Sequence, residues 1–164
     1  MPAPVVRQYQ VFIERPPDVV FGFVSDLRNR ARVSATEWPE DVLTDVSSEL
    51  SAGSLTTVVS SRTGGRERMT LEILEWNPPD SFSERQFEGP FAAWEHRRWV
   101  SEFQQGTLFS ERIAYVPGGA LGRLADRWFL SKRIDAWAQG RQAATKAVLE
   151  RMARVRAGAD GGPA

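Results

Sequence analysis

The feature that most limits how this chain can fold is a long alternating stretch broken at short, regular intervals. Between positions 41 and 116 polar and apolar residues alternate with a period of two, the signature of half-buried strands. The breaks are Ala52-Gly53, Gly64-Gly65, Asn77-Pro78-Pro79-Asp80, Gly89-Pro90 and Gln105-Gly106. They divide the stretch into expected strands at 41–50, 54–62, 66–76, 81–88, 92–104 and 107–116. Parallel neighbours need crossovers of about a dozen residues or more, and these links are too short. An antiparallel meander follows.

The flanks complete the arrangement. Residues 5–14 (VVRQYQVFIE) read as a further strand, stopped by Arg15-Pro16-Pro17. Proline fits the first turn of a helix, and Val19, Val20, Phe23, Val24 and Leu27 recur at helical spacing, giving a short helix over 17–27. A second short helix is expected within the polar segment 28–40. Beyond Pro117-Gly118-Gly119, residues 120–154 hold no proline and predict a long helix, bent near 129–131 or divided in two. Its apolar stripe is Leu130, Ile134, Trp137, Val148 and Met152, interrupted by Arg141 and Thr145. Residues 157–164 (AGADGGPA) are expected to form a flexible tail, leaving a single domain over 1–156. A sheet of this size must have one face covered, and the long helix is the element large enough to do it. The expected fold class is therefore α+β of the helix-grip type: a curved antiparallel sheet of six to seven strands over a long C-terminal helix.

Composition removes several function classes. The 21 acidic and 21 basic residues balance, so no bulk field draws nucleic acid or an anionic membrane. With no cysteine and a single histidine, His96, disulfides, thiolate catalysis and imidazole-rich zinc sites are excluded, while a carboxylate-only metal site is not. No phosphate-cradling glycine loop and no nucleophile elbow is present. No metal and no cofactor is expected. The opening MPAPVV does not read as a secretory leader, and no apolar run reaches about 18 residues, so no integral membrane association is expected and the cytoplasm is the default location.

The last hairpin carries the candidate site. With Gln105-Gly106 as its loop, His96 faces Tyr115, Arg98 faces Ile113 and Val100 faces Glu111. Alternation puts Trp94, His96, Arg98 and Val100 on one face with Phe109, Glu111, Ile113 and Tyr115, so that Arg98 and Glu111 are diagonal neighbours. The opposite face, with Glu95, Arg97, Trp99 and Arg112, is also mixed. The first is taken as inward because Val100, Phe109 and Ile113 cluster there. Apolar walls with a few central polar groups are what a small-molecule pocket needs. The candidate ligand-binding residues are Trp94, His96, Arg98, Phe109, Glu111, Ile113, Tyr115 and, from the helix, Arg141. Each also has an ordinary structural reading: a hydrogen-bonded histidine, a plain ion pair, core aromatics, a snorkelling arginine. No catalytic set stands out.

Several stretches resemble a known family. These are VFIERPPDVVFGFVSDLRN (11–29), WNPPDSF (76–82), GPFAAWEH (89–96), GTLFSERIAY (106–115) and GGALGRLADRWF (118–129). With the order of elements, they resemble the START-like, Bet v 1-like (SRPBCC) superfamily, and within it a polyketide cyclase/dehydrase-like ligand-binding branch. The resemblance implies a cavity between sheet and C-terminal helix that holds a small hydrophobic ligand such as a lipid, polyketide or aromatic metabolite. It also leaves open a polyketide aromatase/cyclase or dehydratase, with His96, Tyr115 and Glu111 as proton-moving groups and Arg98 beside a developing oxyanion. A protein-interaction module of the chaperone-activator kind is the third option, favoured by exposed Trp38, Trp99 or Trp128. A homodimer is compatible with all three.

Overall fold

The computed structural model of the protein describes residues 3–33, 40–43, 50–60, 66–118 and 129–160. In chain order the elements are β1 (Val5–Ile13), α1 (Pro17–Ser25), α2 (Leu27–Arg32), β2 (Glu40–Val42), β3 (Leu55–Ser60), β4 (Glu67–Asn77), β5 (Ser81–Glu88), β6 (Ala93–Phe103), β7 (Gly106–Val116) and α3 (Ser131–Asp160). The strands form one antiparallel sheet in the order β1-β7-β6-β5-β4-β3-β2. The meander thus runs from β2 to β7, and β1 closes it by pairing with β7. Register shifts in the β4-β5 pair, between Thr70 and Leu71 and between Ile73 and Glu75, bend the sheet as strand irregularities do. The α+β helix-grip architecture is the one expected from the alternation.

Local chemistry explains the short helices. Pro17 occupies the first turn of α1, Asp18 meets the positive end of its dipole, and Val20, Phe21 and Phe23 are buried. Phe21 sits in an aromatic trio with Trp76 and Phe82, with ring centroids 5.6 to 6.0 Å apart. On α2, Leu27, Arg30 and the following Val33 all face inward.

Four expectations need correction. The β6-β7 loop is Gln104-Gln105, not Gln105-Gly106, so Trp94 pairs with Tyr115, His96 with Ile113, Arg98 with Glu111 and Val100 with Phe109. Gln104 takes the left-handed φ of 53° that the tight turn demands. Gly106 is needed one step later, because a Cβ there would run into the carbonyl of Ile13 on β1. The glycine marks close strand packing rather than the turn. Of the expected strand 41–50, Asp41 and Val42 lie in β2, Leu43 and Leu50 lie outside any strand, and 44–49 are outside the described residues. Of the expected helix 120–154, residues 120–128 lie outside the described residues, a π turn at Phe129 and Leu130 leads in, and α3 ends at Asp160. The helix formers Ala153, Arg154, Arg156 and Ala157 carry it into the expected tail. Finally, Leu149 ends the buried stripe, and Met152 is exposed where α3 leaves the core.

The interior has two apolar clusters. One joins Phe91, Trp94, Ile113 and Tyr115 to Ile134, Trp137 and Ala138 of α3, with Tyr9, Met69 and Leu71. The other joins Val20, Phe21 and Phe23 of α1 to Ile13, Ile73, Phe82, Val100, Phe109 and Leu149.

Candidate functional site

Between these clusters lies a band of buried charge. Along β6 the inward residues run Trp94, His96, Arg98, Val100, and along β7 Tyr115, Ile113, Glu111, Phe109, so the polar members sit mid-strand on both. The observed β6-β7 register differs from the expected one by two residues, and a shift of two keeps every side chain on its face. The expected inward face is therefore the observed one, and Arg98 lies directly opposite Glu111 rather than diagonal to it.

His96 is fully buried and bonded at both ring nitrogens. Arg98 Nη2 donates to Nδ1 at 2.9 Å, and Nε2 lies 3.0 Å from Glu111 Oε1. A guanidinium only donates, so Nδ1 accepts, and the ring proton sits on Nε2 and points at the carboxylate. Burial, joined by the nearby Arg98 cation, holds the imidazole down at about 4 against the pull of Glu111. His96 is therefore neutral at pH 7.

The other members come from four further elements. Glu84 of β5 accepts from Arg98 Nη2 at 3.1 Å and from Arg30 of α2. Arg30 Nε also meets Glu40 of β2 at 2.8 Å, and Arg141 Nη1 of α3 reaches the same Glu40 oxygen at 3.1 Å. Three guanidiniums and three carboxylates thus balance in the interior around a neutral histidine. Burial alone would raise the pKa of Glu84, but the cations of Arg30 and Arg98 outweigh it and hold the carboxyl well below its ordinary range. Burial also opposes ionisation of Glu111, yet the His96 hydrogen bond and Arg98 bring it below the usual carboxylate value. Burial lowers Arg141 to about 10, with Glu40 resisting. Rings close over two of the cations: Phe82 lies 5.1 Å from the Arg98 guanidinium and Trp137 lies 5.2 Å from that of Arg141.

A crevice opens beside this band under α1, α2 and α3. Phe23, Val24, Val33 and Phe109 form its apolar wall, and Arg98, Glu111, Arg141, Asn29, Gln142 and Thr145 its polar one. Its volume is about 20 Å³, and a second crevice beside Glu84 and Leu50 is of similar size. Such spaces hold a water rather than a lipid. The expectation of an enclosed pocket with mostly apolar walls is therefore corrected: arginine side chains fill the centre of the hollow. Two buried polar atoms in the first crevice, Gln142 Nε2 and Glu111 Oε2, have no hydrogen-bond partner among the described residues.

The candidate residues divide. Arg98, Phe109, Glu111 and Arg141 line the crevice. Trp94, Ile113 and Tyr115 belong to the aromatic cluster, where Trp94 meets Phe91 at 4.8 Å, and His96 packs 6.0 Å from Trp137. Tyr115 Oη bonds Ser131 Oγ at 3.0 Å. The sequence reading missed Arg30, Glu40, Glu84 and Gln142. For Arg30 a signal existed, since Leu27, Arg30 and Val33 recur at three-residue spacing. Glu84 follows from the β5-β6 register, which pairs it with His96. Of the tryptophans tied to an interaction surface, Trp38 and Trp128 lie outside the described residues and Trp99 is half-buried.

Among the described residues no group of three His, Asp or Glu side chains is placed to hold a metal ion, and no helix is long and apolar enough to cross a membrane. No protein-family model and no curated protein matches the chain. Solved structures do. KanY (ms6282), seen by NMR, is similar with a TM-score of 0.70 at 15% identity, over 92% of this chain and 99% of that one. Protein Ms6760 of Mycobacterium smegmatis gives 0.68 at 17% identity over 92% and 99%, and Ara h 8.0201 gives 0.65 at 10% identity over 90% and 99%. At such identities the likeness is one of fold, and the fold of this chain is the helix-grip fold: a curved antiparallel sheet over a long C-terminal helix.

Proposed function

We propose that the protein binds a small, largely apolar molecule with a polar end between the sheet and α3. Phe23, Val33 and Phe109 would take the apolar body, while Arg98, Glu111, Arg141 and Gln142 would orient the polar end. Trp94, His96, Ile113 and Tyr115 would form the closed, dry end of the site. The observation that carries this reading is the pair of buried, unpartnered polar atoms on Gln142 and Glu111 in one crevice with apolar walls. Leaving such atoms unpaired is costly, about 1–3 kcal/mol each, and a ligand that satisfied them would recover that cost. A ligand larger than water requires α1 and α2 to move away from α3, so its binding is coupled to opening of the crevice.

Thermal-shift and native mass-spectrometry screens with fatty acids and polycyclic aromatics test the reading. At least one class should raise Tm, and Gln142→Leu should abolish that rise while the variant stays folded. No stabiliser in either class, or fatty-acid stabilisation that survives Gln142→Leu, would rule this site out.

The cyclase or dehydratase reading is supported less. Both nitrogens of His96 are engaged, Tyr115 is bonded to Ser131, and Glu111 is held below the range of a base poised near neutral pH.

A further inference from the structure

We propose a second ligand site, on the outer face of the sheet, for a small planar aromatic molecule bearing one anionic group. Here Ser81 pairs with Trp99, which pairs with Ser110, and Ser83 pairs with Arg97, which pairs with Arg112. All lie on the face turned away from α3, since they alternate with the inward residues of β5, β6 and β7. Ser81, Ser83 and Ser110 are nevertheless buried. Small serines on β5 and β7 leave this face low on either side of β6, and the long side chains of Arg97 and Trp99 on β6 and Arg112 on β7 rise beside them. The result is a depression of about 400 Å³, with Asp80 at its rim. That lies within the size range of small-molecule sites, unlike the inner crevices.

The charges point to the occupant. Arg97 and Arg112 are directly opposed on adjacent strands, and like charges so placed repel. The nearest carboxylate to Arg97 is Glu75, at a loose 3.9 Å. Arg112 is half-buried, and its guanidinium has no ion pair or hydrogen bond among the described residues. A carboxylate or phosphate between the two guanidiniums would relieve the repulsion with charge-assisted bonds. The Trp99 indole beside them offers a face for a ring to stack on. Asp80 disfavours a second negative group, so the ligand has one anionic end and a neutral aromatic body.

The test is a titration of the folded protein with 2-naphthoate, followed by the indole N–H signals of its tryptophans. The Trp99 signal should move while those of Trp94 and Trp137 stay. Affinity should fall about tenfold or more for 2-naphthol, for acetate and in Arg112→Gln, and should weaken as salt rises. Trp99→Leu gives a second variant should Arg112→Gln prove unstable. Unchanged affinity in the folded variants, or shifts confined to Trp94 and Trp137, would overturn the proposal and leave any binding to the inner site. Outer-face signals that depend on protein concentration and not on 2-naphthoate would overturn it in favour of contact between copies.

Discussion

The two halves of the β6-β7 inner face bury themselves by opposite means. At one end Trp94, Ile113 and Tyr115 meet Trp137 and Ile134 in ordinary apolar packing. A few residues along the same strands, Arg98 and Glu111 meet Glu84, Arg30, Glu40 and Arg141 in a closed set of ion pairs. Apolar packing degrades in proportion to what is removed. A buried charge set is all-or-none, because removing one member strands its partners in a medium that cannot solvate them. The band is thus weak as a source of stability and strong as a constraint on geometry. It ties α2, β2 and α3 to the same three strands, and it places the polar wall of the crevice.

Four experiments break or sharpen this contrast. The largest effect is expected from Glu84→Gln, which leaves Arg30 and Arg98 short of an anion. It should cost about 3–5 kcal/mol in chemical denaturation, and a loss below about 1 kcal/mol would show that the band is wet and loosely held.

Next is pH. Because the folded His96 titrates near 4 and the unfolded one near 6.5, the unfolded chain binds the extra proton between those values. Stability should be full above about pH 6.5 and fall by about 3 kcal/mol as pH drops to about 4. Loss of the lowered Glu84 and Glu111 carboxylates adds to this only below about 4.5. Replacing His96 by Gln should flatten the slope between pH 6.5 and 4. If the wild-type stability is level across that window, the imidazole is not held neutral by burial.

In the apolar half, Ile113→Val should cost about 1 kcal/mol, the price of one methylene, with pH dependence unchanged. A loss as large as that of Glu84→Gln would erase the distinction between the halves. The smallest effect belongs to Glu72→Ala, which removes the exposed 2.8 Å pair with Arg85 and should change stability by less than about 0.5 kcal/mol.

The register of β6 and β7 illustrates how much of this was legible. Glycine at 106 looks like a turn residue, yet its role is to admit the Ile13 carbonyl of a strand far away in sequence. Taking it as the turn moves every cross-strand partner and no side chain's face. The inward set was consequently right while Arg98 and Glu111 were given the wrong geometry. Glu40 was beyond reach for another reason: a charged residue in a polar stretch looks solvated, and only its contacts with Arg30 and Arg141 show that it is buried.

What the sequence determined by itself was the alternation, the punctuation and the long final helix, and with them the helix-grip architecture. These are local signals, since side-chain period and backbone preference act over a few residues. What tertiary structure alone decided was which charges meet. Glu40, Glu84, Glu111, Arg30, Arg98 and Arg141 come from six different elements, and only the closed fold brings them into contact. Tertiary packing also decided that the hollow under α3 is filled by guanidiniums, because three arginines converge there only after sheet and helices close.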